Sequence, residues 1–172
     1  MHLLHLLRHA KSGRDDGVED RDRTLSKRGR EAARAIGTGL PQAIGKLDLV
    51  LCSSSARTRE TAELVLAGFV KTPRTLFEDG LYLVSESALL RRLRRLDEAS
   101  GSVLVIGHNP GLHQLAVALT APRSPGFRAL ADGKFPTTAR ASLQVDTSWA
   151  ALGRGGNSLV AYVTPKSLGI DD

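Results

Sequence analysis

The sequence predicts an α/β protein, a three-layer α/β/α sandwich around a mostly parallel central sheet. Three observations predict it. Short apolar runs of strand length, Leu3–Leu7, Leu47–Cys52 and Val103–Ile106, recur along the chain, and each is followed by a segment with helical character. The runs are nearly continuous rather than alternating, as in strands buried on both faces of a parallel sheet. With 172 residues the chain is long enough to bury one sizeable core and too short to favour two, so residues 1–172 are read as a single domain.

Taken in order, Leu3–Leu7, interrupted by His5, is the first buried strand. Leu25-Ser26-Lys27-Arg28-Gly29 then leads into an alanine-rich helix around Glu31–Ile36 that ends near Gly37 to Pro41. Leu47–Cys52 is the second strand, and Ser53, Ser54 and Ser55 offer a cap for a helix from about Ala56 to Ala67. Ser87 to Leu96 carries Leu89, Leu90, Leu93 and Leu96 at three- and four-residue spacings, an amphipathic helix whose polar face holds Arg91, Arg92, Arg94 and Arg95. Val103–Ile106 is a strand, after which Asn109-Pro110-Gly111 opens a helix through about Leu119, with Pro110 suited to its first turn. Beyond Thr120 prolines and glycines mark a loop. Ala141–Val145 and Ser158–Val163 then form a closing hairpin or edge pair.

Composition narrows the chemistry. A 41 % apolar and 24 % charged chain is ordinary for a soluble globular protein, and no apolar run approaches the roughly 20 residues of a membrane span, so a cytoplasmic location without a membrane partner is expected. Cys52 stands alone, which excludes an internal disulfide and argues against a cysteine-based metal site. The net charge of +6 is compatible with an anionic ligand, but aromatic residues are only 4 % and do not interleave with basic stretches. Nucleic acid is therefore not the expected partner, and the arginines of residues 91–95 are read as a solvated helix face.

Ligands of such sheets bind beyond the carboxyl ends of the strands. Three predicted strands end in unusual clusters: Arg8-His9-Ala10-Lys11-Ser12, Ser53-Ser54-Ser55-Ala56-Arg57, and Gly107-His108-Asn109-Pro110-Gly111. If these strands run parallel, two imidazoles and two guanidiniums meet at one sheet edge. Phosphoryl transfer asks mainly for positioning and charge stabilisation, which guanidiniums supply by matching phosphate oxygens bidentately. Arg8 and Arg57 are the candidate clamp, His108 a donor to the same oxygens, and His9 a nucleophile that attacks phosphorus as a neutral imidazole. The helix start at Asn109 adds backbone N–H groups facing an anion.

Other residues have blander readings. His5 is a core histidine and His2 lies near the terminus. His113 sits five residues from His108, on a different side of the helix, so no zinc site is expected. Lys11 and Ser12 either bind phosphate or begin the loop. Ser53 to Ser55 mainly cap the following helix, and Arg59 is expected to pair with Glu63.

Together these segments resemble the histidine phosphatase superfamily, the group of phosphoglycerate mutases and acid phosphatases. Arg8-His9 matches its Arg-His-Gly motif with Ala10 in place of glycine, and Arg8-His9-Ala10-Lys11-Ser12 is similar to the opening of the SixA-type phosphohistidine phosphatases. Asp22-Arg23-Thr24-Leu25-Ser26-Lys27-Arg28-Gly29 resembles that subgroup's Asp-Arg-Pro-Leu-Ser-x-x-Gly, with Thr24 for proline. Gly107-His108-Asn109-Pro110-Gly111 and Trp149 extend the likeness over nearly the whole chain.

The resemblance implies a phosphoglycerate mutase-like fold and a metal- and cofactor-independent phosphatase working through a phosphohistidine at His9. Arg8, His9, Arg57 and His108 take the four phosphate-pocket positions, and Arg23 and Asn109 bind substrate beside them. The implied substrate is a phosphohistidine on a protein; the alternatives are small phosphate monoesters on the same site, or a phosphate-recognising module without turnover. Many superfamily members place an acidic residue between the second and third motifs to protonate the leaving group. Here Glu78, Asp79 and Glu86 lie in that stretch, but none reproduces the acid motif.

Overall fold

The computed structural model describes residues 1–14 and 17–170. Six strands form one sheet in the order β3-β2-β4-β1-β5-β6, with β1 His2–Arg8, β2 Leu49–Ser53, β3 Thr75–Glu78, β4 Ser102–Gly107, β5 Arg140–Val145 and β6 Ser158–Val163. The pairs β1–β4, β4–β2 and β2–β3 are parallel, whereas β5 runs antiparallel to both β1 and β6. The closing edge pair is thus the antiparallel β5–β6. β2 and β4 are buried at every position, which is why their sequences are continuous apolar runs.

Helices cover both faces. α1 (Lys27–Ile44) and α2 (Ala56–Leu66) lie on one face, around a core of Leu7, Ile36, Leu40, Val50, Cys52, Val65, Leu104 and Ile106. α3 (Glu86–Leu93), α4 (Gly111–Leu119) and α5 (Phe127–Asp132) lie on the other, around Leu6, Leu51, Leu90, Val105, Leu115, Phe135 and Trp149. The three-layer sandwich expected from the sequence is the one observed.

α1 runs farther than its sequence suggests, passing Pro41 to reach Ile44. Ile36, Leu40 and Ile44 continue one buried stripe at four-residue spacing, and their burial outweighs the roughly 3 kcal/mol that an interior proline costs a helix. α3 stops at Leu93, three residues short of the expected end, although Leu96 is still buried in the turn that follows. Two elements carried no sequence signal. β3 is a four-residue, half-exposed edge strand, and α5 is six residues long within the proline- and glycine-rich stretch read as loop.

Candidate active site

The sheet register brings the motif ends together. Arg8 pairs with Gly107 across β1–β4, and Cys52 with Ile106 across β2–β4, so His9, Ser53 and His108 all emerge at the same carboxyl edge. The segment after β1 is held from three sides. Ala10 N–H donates to Thr61 Oγ1 of α2 (2.9 Å), Ser26 N–H donates to Lys11 O (2.9 Å), and Thr138 N–H reaches Arg8 O and His9 O (3.1 and 3.2 Å). The Asp22–Gly29 run serves this packing. Leu25 is buried, Ser26 caps α1 by accepting from Gly29 N–H, and a Cβ on Gly29 would stand 2.0 Å from Lys11 O, so only glycine lets α1 start there.

His9 is 7 % exposed, and its Nδ1 lies 2.7 Å from Ala10 O. A carbonyl only accepts, so Nδ1 carries the proton and Nε2 keeps its lone pair. Burial, together with His108, Arg8 and Arg57, pushes the His9 pKa down to about 3, which keeps the ring neutral at physiological pH. The His108 ring lies 5.3 Å from that of His9. Its Nδ1 is 3.4 Å from Arg57 Nη2, and its Nε2 is 2.8 Å from Ser53 Oγ. Because a guanidinium only donates, His108 accepts at Nδ1 and donates Nε2–H to Ser53. Burial and Arg57 lower its pKa to about 4. Without an anion, then, His108 turns no N–H toward the pocket, unlike the donor the sequence suggested. A bound phosphoryl dianion favours protonation of Nδ1 and restores that donor.

Arg57 is 5 % exposed and held in place: Nη1 donates to Asp20 O (2.8 Å) and Nη2 to Asp20 Oδ2 (3.1 Å). Arg8 Nη1 donates to Phe135 O (3.1 Å). Both guanidiniums depress His9 and His108, so the four groups share one electrostatic pocket. Asp20, in a one-turn 3-10 helix over Asp20–Asp22, also accepts from Tyr82 Oη and from Arg23 Nη1 (3.1 Å). Its hydrogen bonds, that from Tyr82 foremost, hold its pKa down to about 2.

The three acid candidates are committed elsewhere. Glu78 forms a two-pronged pair with Arg92 (both 2.8 Å), Asp79 bonds Arg21 and Ser54, and Glu86 pairs with Arg154 (2.8 Å). Arg92 holds the Glu78 pKa below the usual carboxylate range, and Ser54 and Arg21 do the same for Asp79, so both are proton-free at neutral pH.

Several expectations change. Arg23 does not point at the His9–His108 pair; it clamps Ser12 Oγ (2.8 Å), Gly13 O and Asp20, one carboxylate removed from Arg57. Ser12 thus braces the loop. Asn109 Nδ2 donates to Phe135 O (2.8 Å), the same carbonyl that receives Arg8, so Asn109 helps fix Arg8. Pro110 precedes α4 rather than entering its first turn, which begins at Gly111. Of the three serines only Ser55 caps α2; Ser53 orients His108 and Ser54 meets Arg21 and Asp79.

Arg59 bonds Ser54 O (2.9 Å) and stacks 4.3 Å over Phe77 instead of pairing with Glu63, because β3 brings that ring alongside. His2 is no loose terminus: it stacks on Trp149 at 4.6 Å and meets Glu98 at 2.7 Å. His113 Nε2 bonds Leu130 O (2.7 Å). Arg92, facing Glu78, and Arg94, whose Nε donates to Leu152 O (2.8 Å), depart from the solvated arginine face. The residues that sequence reasoning missed are Asp20, Tyr82 and Ser53. Asp20 lies just before the Asp22–Gly29 run, and only the fold carries it and Tyr82 to Arg57.

Beside Arg8 lies an open basin of about 540 Å³, lined by Arg8, Lys11, Asn109, Lys134 and Thr137 among others, with no acidic side chain among the described residues of its wall.

Comparison with known proteins bears on the family and the fold. The sequence profile of the Histidine phosphatase superfamily (branch 1) matches residues 4–79. An uncharacterized protein of Mycobacterium tuberculosis (strain ATCC 25618 / H37Rv) is 34 % identical over 163 residues, covering 93 % of this chain and all of the relative. Among solved structures, a candidate phosphohistidine phosphatase SixA from Nakamurella multipartitia is similar with a TM-score of 0.82 and 29 % identity, covering 95 % of this chain and 96 % of that one. A second candidate SixA, from Agrobacterium tumefaciens, aligns with a TM-score of 0.80 and 25 % identity over 95 % of this chain and 98 % of that one. With the profile match over residues 4–79 and this likeness over nearly the whole chain, the chain belongs to the histidine phosphatase superfamily.

Proposed function

We propose that the protein is a metal-independent phosphatase that forms a phosphohistidine at His9 and acts on phosphohistidine carried by a protein. One observation carries the reading: His9, with Nε2 free to attack, sits in one buried pocket with His108, Arg8 and Arg57, and among the described residues the carboxyl group that meets this cluster, Asp20 on Arg57, is held ionised and so is no acid for a leaving group. In the first step the Nε2 lone pair forms a bond to phosphorus while the substrate's P–N bond breaks, its electron pair returning to the leaving imidazole. That ring carries a proton on its second nitrogen, acquired from solvent, and so departs neutral without an acid from the enzyme. An alkoxide has no such second site, which is why an ester substrate would need one.

Arg8, Arg57 and a protonated His108 then hold the three oxygens through the transition state. Water attacks phospho-His9, the N–P bond breaks, and inorganic phosphate leaves with the water's proton while His9 regains its neutral form. Arg23 supports substrate binding through Asp20, and Asn109 through Arg8. The basic basin beside Arg8 fits the surface of a phosphoprotein better than a small neutral alcohol.

The test compares turnover of a phosphohistidine protein with that of sugar and nucleotide monoesters, and traps the enzyme after brief exposure to a labile phosphoramidate. Acid-labile phosphate should appear on the enzyme and be absent from His9→Ala, whose turnover should fall on the order of 10⁴-fold. Equal turnover on monoesters would identify a general phosphomonoesterase. Neither phosphoenzyme nor product would leave a phosphate-binding module.

A further inference from the structure

A second charged centre lies inside the protein, on the α1 side of the sheet. Arg140 of β5 is 9 % exposed, and its Nη1 donates to Ser142 Oγ. Burial pulls its pKa down, and among the described residues no carboxylate pairs with it. A guanidinium keeps its proton even so, and a buried charge without a partner is strongly unfavourable. Ser142 Oγ also meets Nδ1 of His5, the residue opposite it on β1, at 2.7 Å. The other His5 ring nitrogen, Nε2, is buried and has no hydrogen-bond partner. Burial and Arg140 lower the His5 pKa to about 4, so the ring brings no second charge and no counter-charge.

Arg140 lines a cavity of about 330 Å³ whose wall, apart from Thr138, is apolar, with Ile36 and Leu40 of α1, Val163 of β6, and Ile170. This is the size and make-up of a small-ligand site, with apolar walls and one polar group to fix orientation. None of Arg8, His9, Arg57 and His108 lines it. Thr138 does, and it is the residue whose N–H bonds the Arg8 and His9 carbonyls. Its φ of 63° is left-handed, a conformation unusual for a β-branched residue and typical of functional segments.

We infer that this cavity is a second ligand site, which takes a small monocarboxylate with a short apolar tail, its carboxylate on Arg140. Charge selects the head group. Among the described residues one cation lines the site, so a monoanion neutralises it, whereas a phosphate dianion would carry a negative charge in excess of it. Shape selects the tail, because the space beside Arg140 is lined by Ile36, Leu40, Val163 and Ile170 and leaves room for an apolar chain along α1.

Calorimetric titration of the full chain with octanoate, octanol and octyl phosphate tests this, with orthovanadate present throughout to occupy the phosphate pocket. Octanoate should bind saturably and at least tenfold more tightly than either of the other two. Arg140→Met should remove that preference. Gly39→Phe should also lower octanoate affinity at least tenfold, since Gly39 lies on the cavity wall with open space where its Cβ would be. The Gly39 variant stands in if Arg140→Met fails to fold. No saturable binding, equal binding of octanoate and octanol, or an octanoate preference unchanged by Arg140→Met would overturn the inference. Each outcome is read in the cavity and is independent of turnover at His9.

Discussion

At the scale of single residues, the pocket is tuned by groups that never need to touch phosphorus. Ser53 accepts Nε2–H from His108 and thereby leaves Nδ1 as the atom facing Arg57. Ser53→Ala removes that acceptor, and kcat should fall about 10- to 100-fold with little change in KM, the usual cost of losing an orienting partner; an unchanged kcat would show that His108 is held by packing alone. Asp20 places a carboxylate, ionised at neutral pH, on the guanidinium meant for phosphate. Removing that charge should favour an incoming anion, so Asp20→Asn should lower the inhibition constant of orthovanadate severalfold. A weaker inhibition instead would mean that Asp20 chiefly positions Arg57. The proposed nucleophile and clamp are legible as motifs, but Asp20, Tyr82 and Ser53 are ordinary residue types without a local signature.

Among the elements, the contact between α1 and α2 is decided by glycine. A Cβ on Gly37 would stand 2.4 Å from Leu64 O, a backbone atom that moves only if the helices part. Helix propensity alone says Gly37→Ala should stabilise by up to about 1 kcal/mol. Overpacking says it should destabilise by about 1–3 kcal/mol, and at 2.4 Å the second effect wins. Gly39→Ala, with nothing within 4 Å of the added Cβ, isolates the propensity gain. Urea denaturation should therefore shift in opposite directions for the two variants; a parallel shift would refute the close approach. The same contact explains why α1 reads as ending near Gly37 in the sequence. A glycine followed by a proline looks like a stop, yet here the glycine is an interhelical contact and the proline lies in the last turn.

On the scale of the whole molecule, three imidazoles are buried uncharged. His9, His5 and His108 have folded-state pKa values of about 3, 4 and 4, below the unfolded value near 6.5. The unfolded chain therefore binds more protons in this range. Their contribution is intact above about pH 6.5 and is lost as pH falls through the folded values. Asp20, depressed to about 2, adds a loss in the same direction at still lower pH. The melting temperature should drop between pH 6.5 and 4, and the drop should be shallower in His5→Asn, which leaves the phosphate pocket intact. A melting temperature independent of pH over that interval would show that these rings are not held neutral.

By itself the sequence determined the layered α/β architecture and singled out the cluster proposed here as catalytic, because continuous apolar runs and motif residues at their ends are local features. β3 and α5 escaped it since neither is long enough to show a period. The tertiary structure alone decided which groups face one another: that Arg57 rests on Asp20, that the acidic residues of residues 78–86 are spent on arginines, and that Arg140 is buried beside a serine hydroxyl. Such pairings depend on strand order and helix packing across tens of residues, and sheet register rather than sequence proximity sets the distances that charge and hydrogen bonding require.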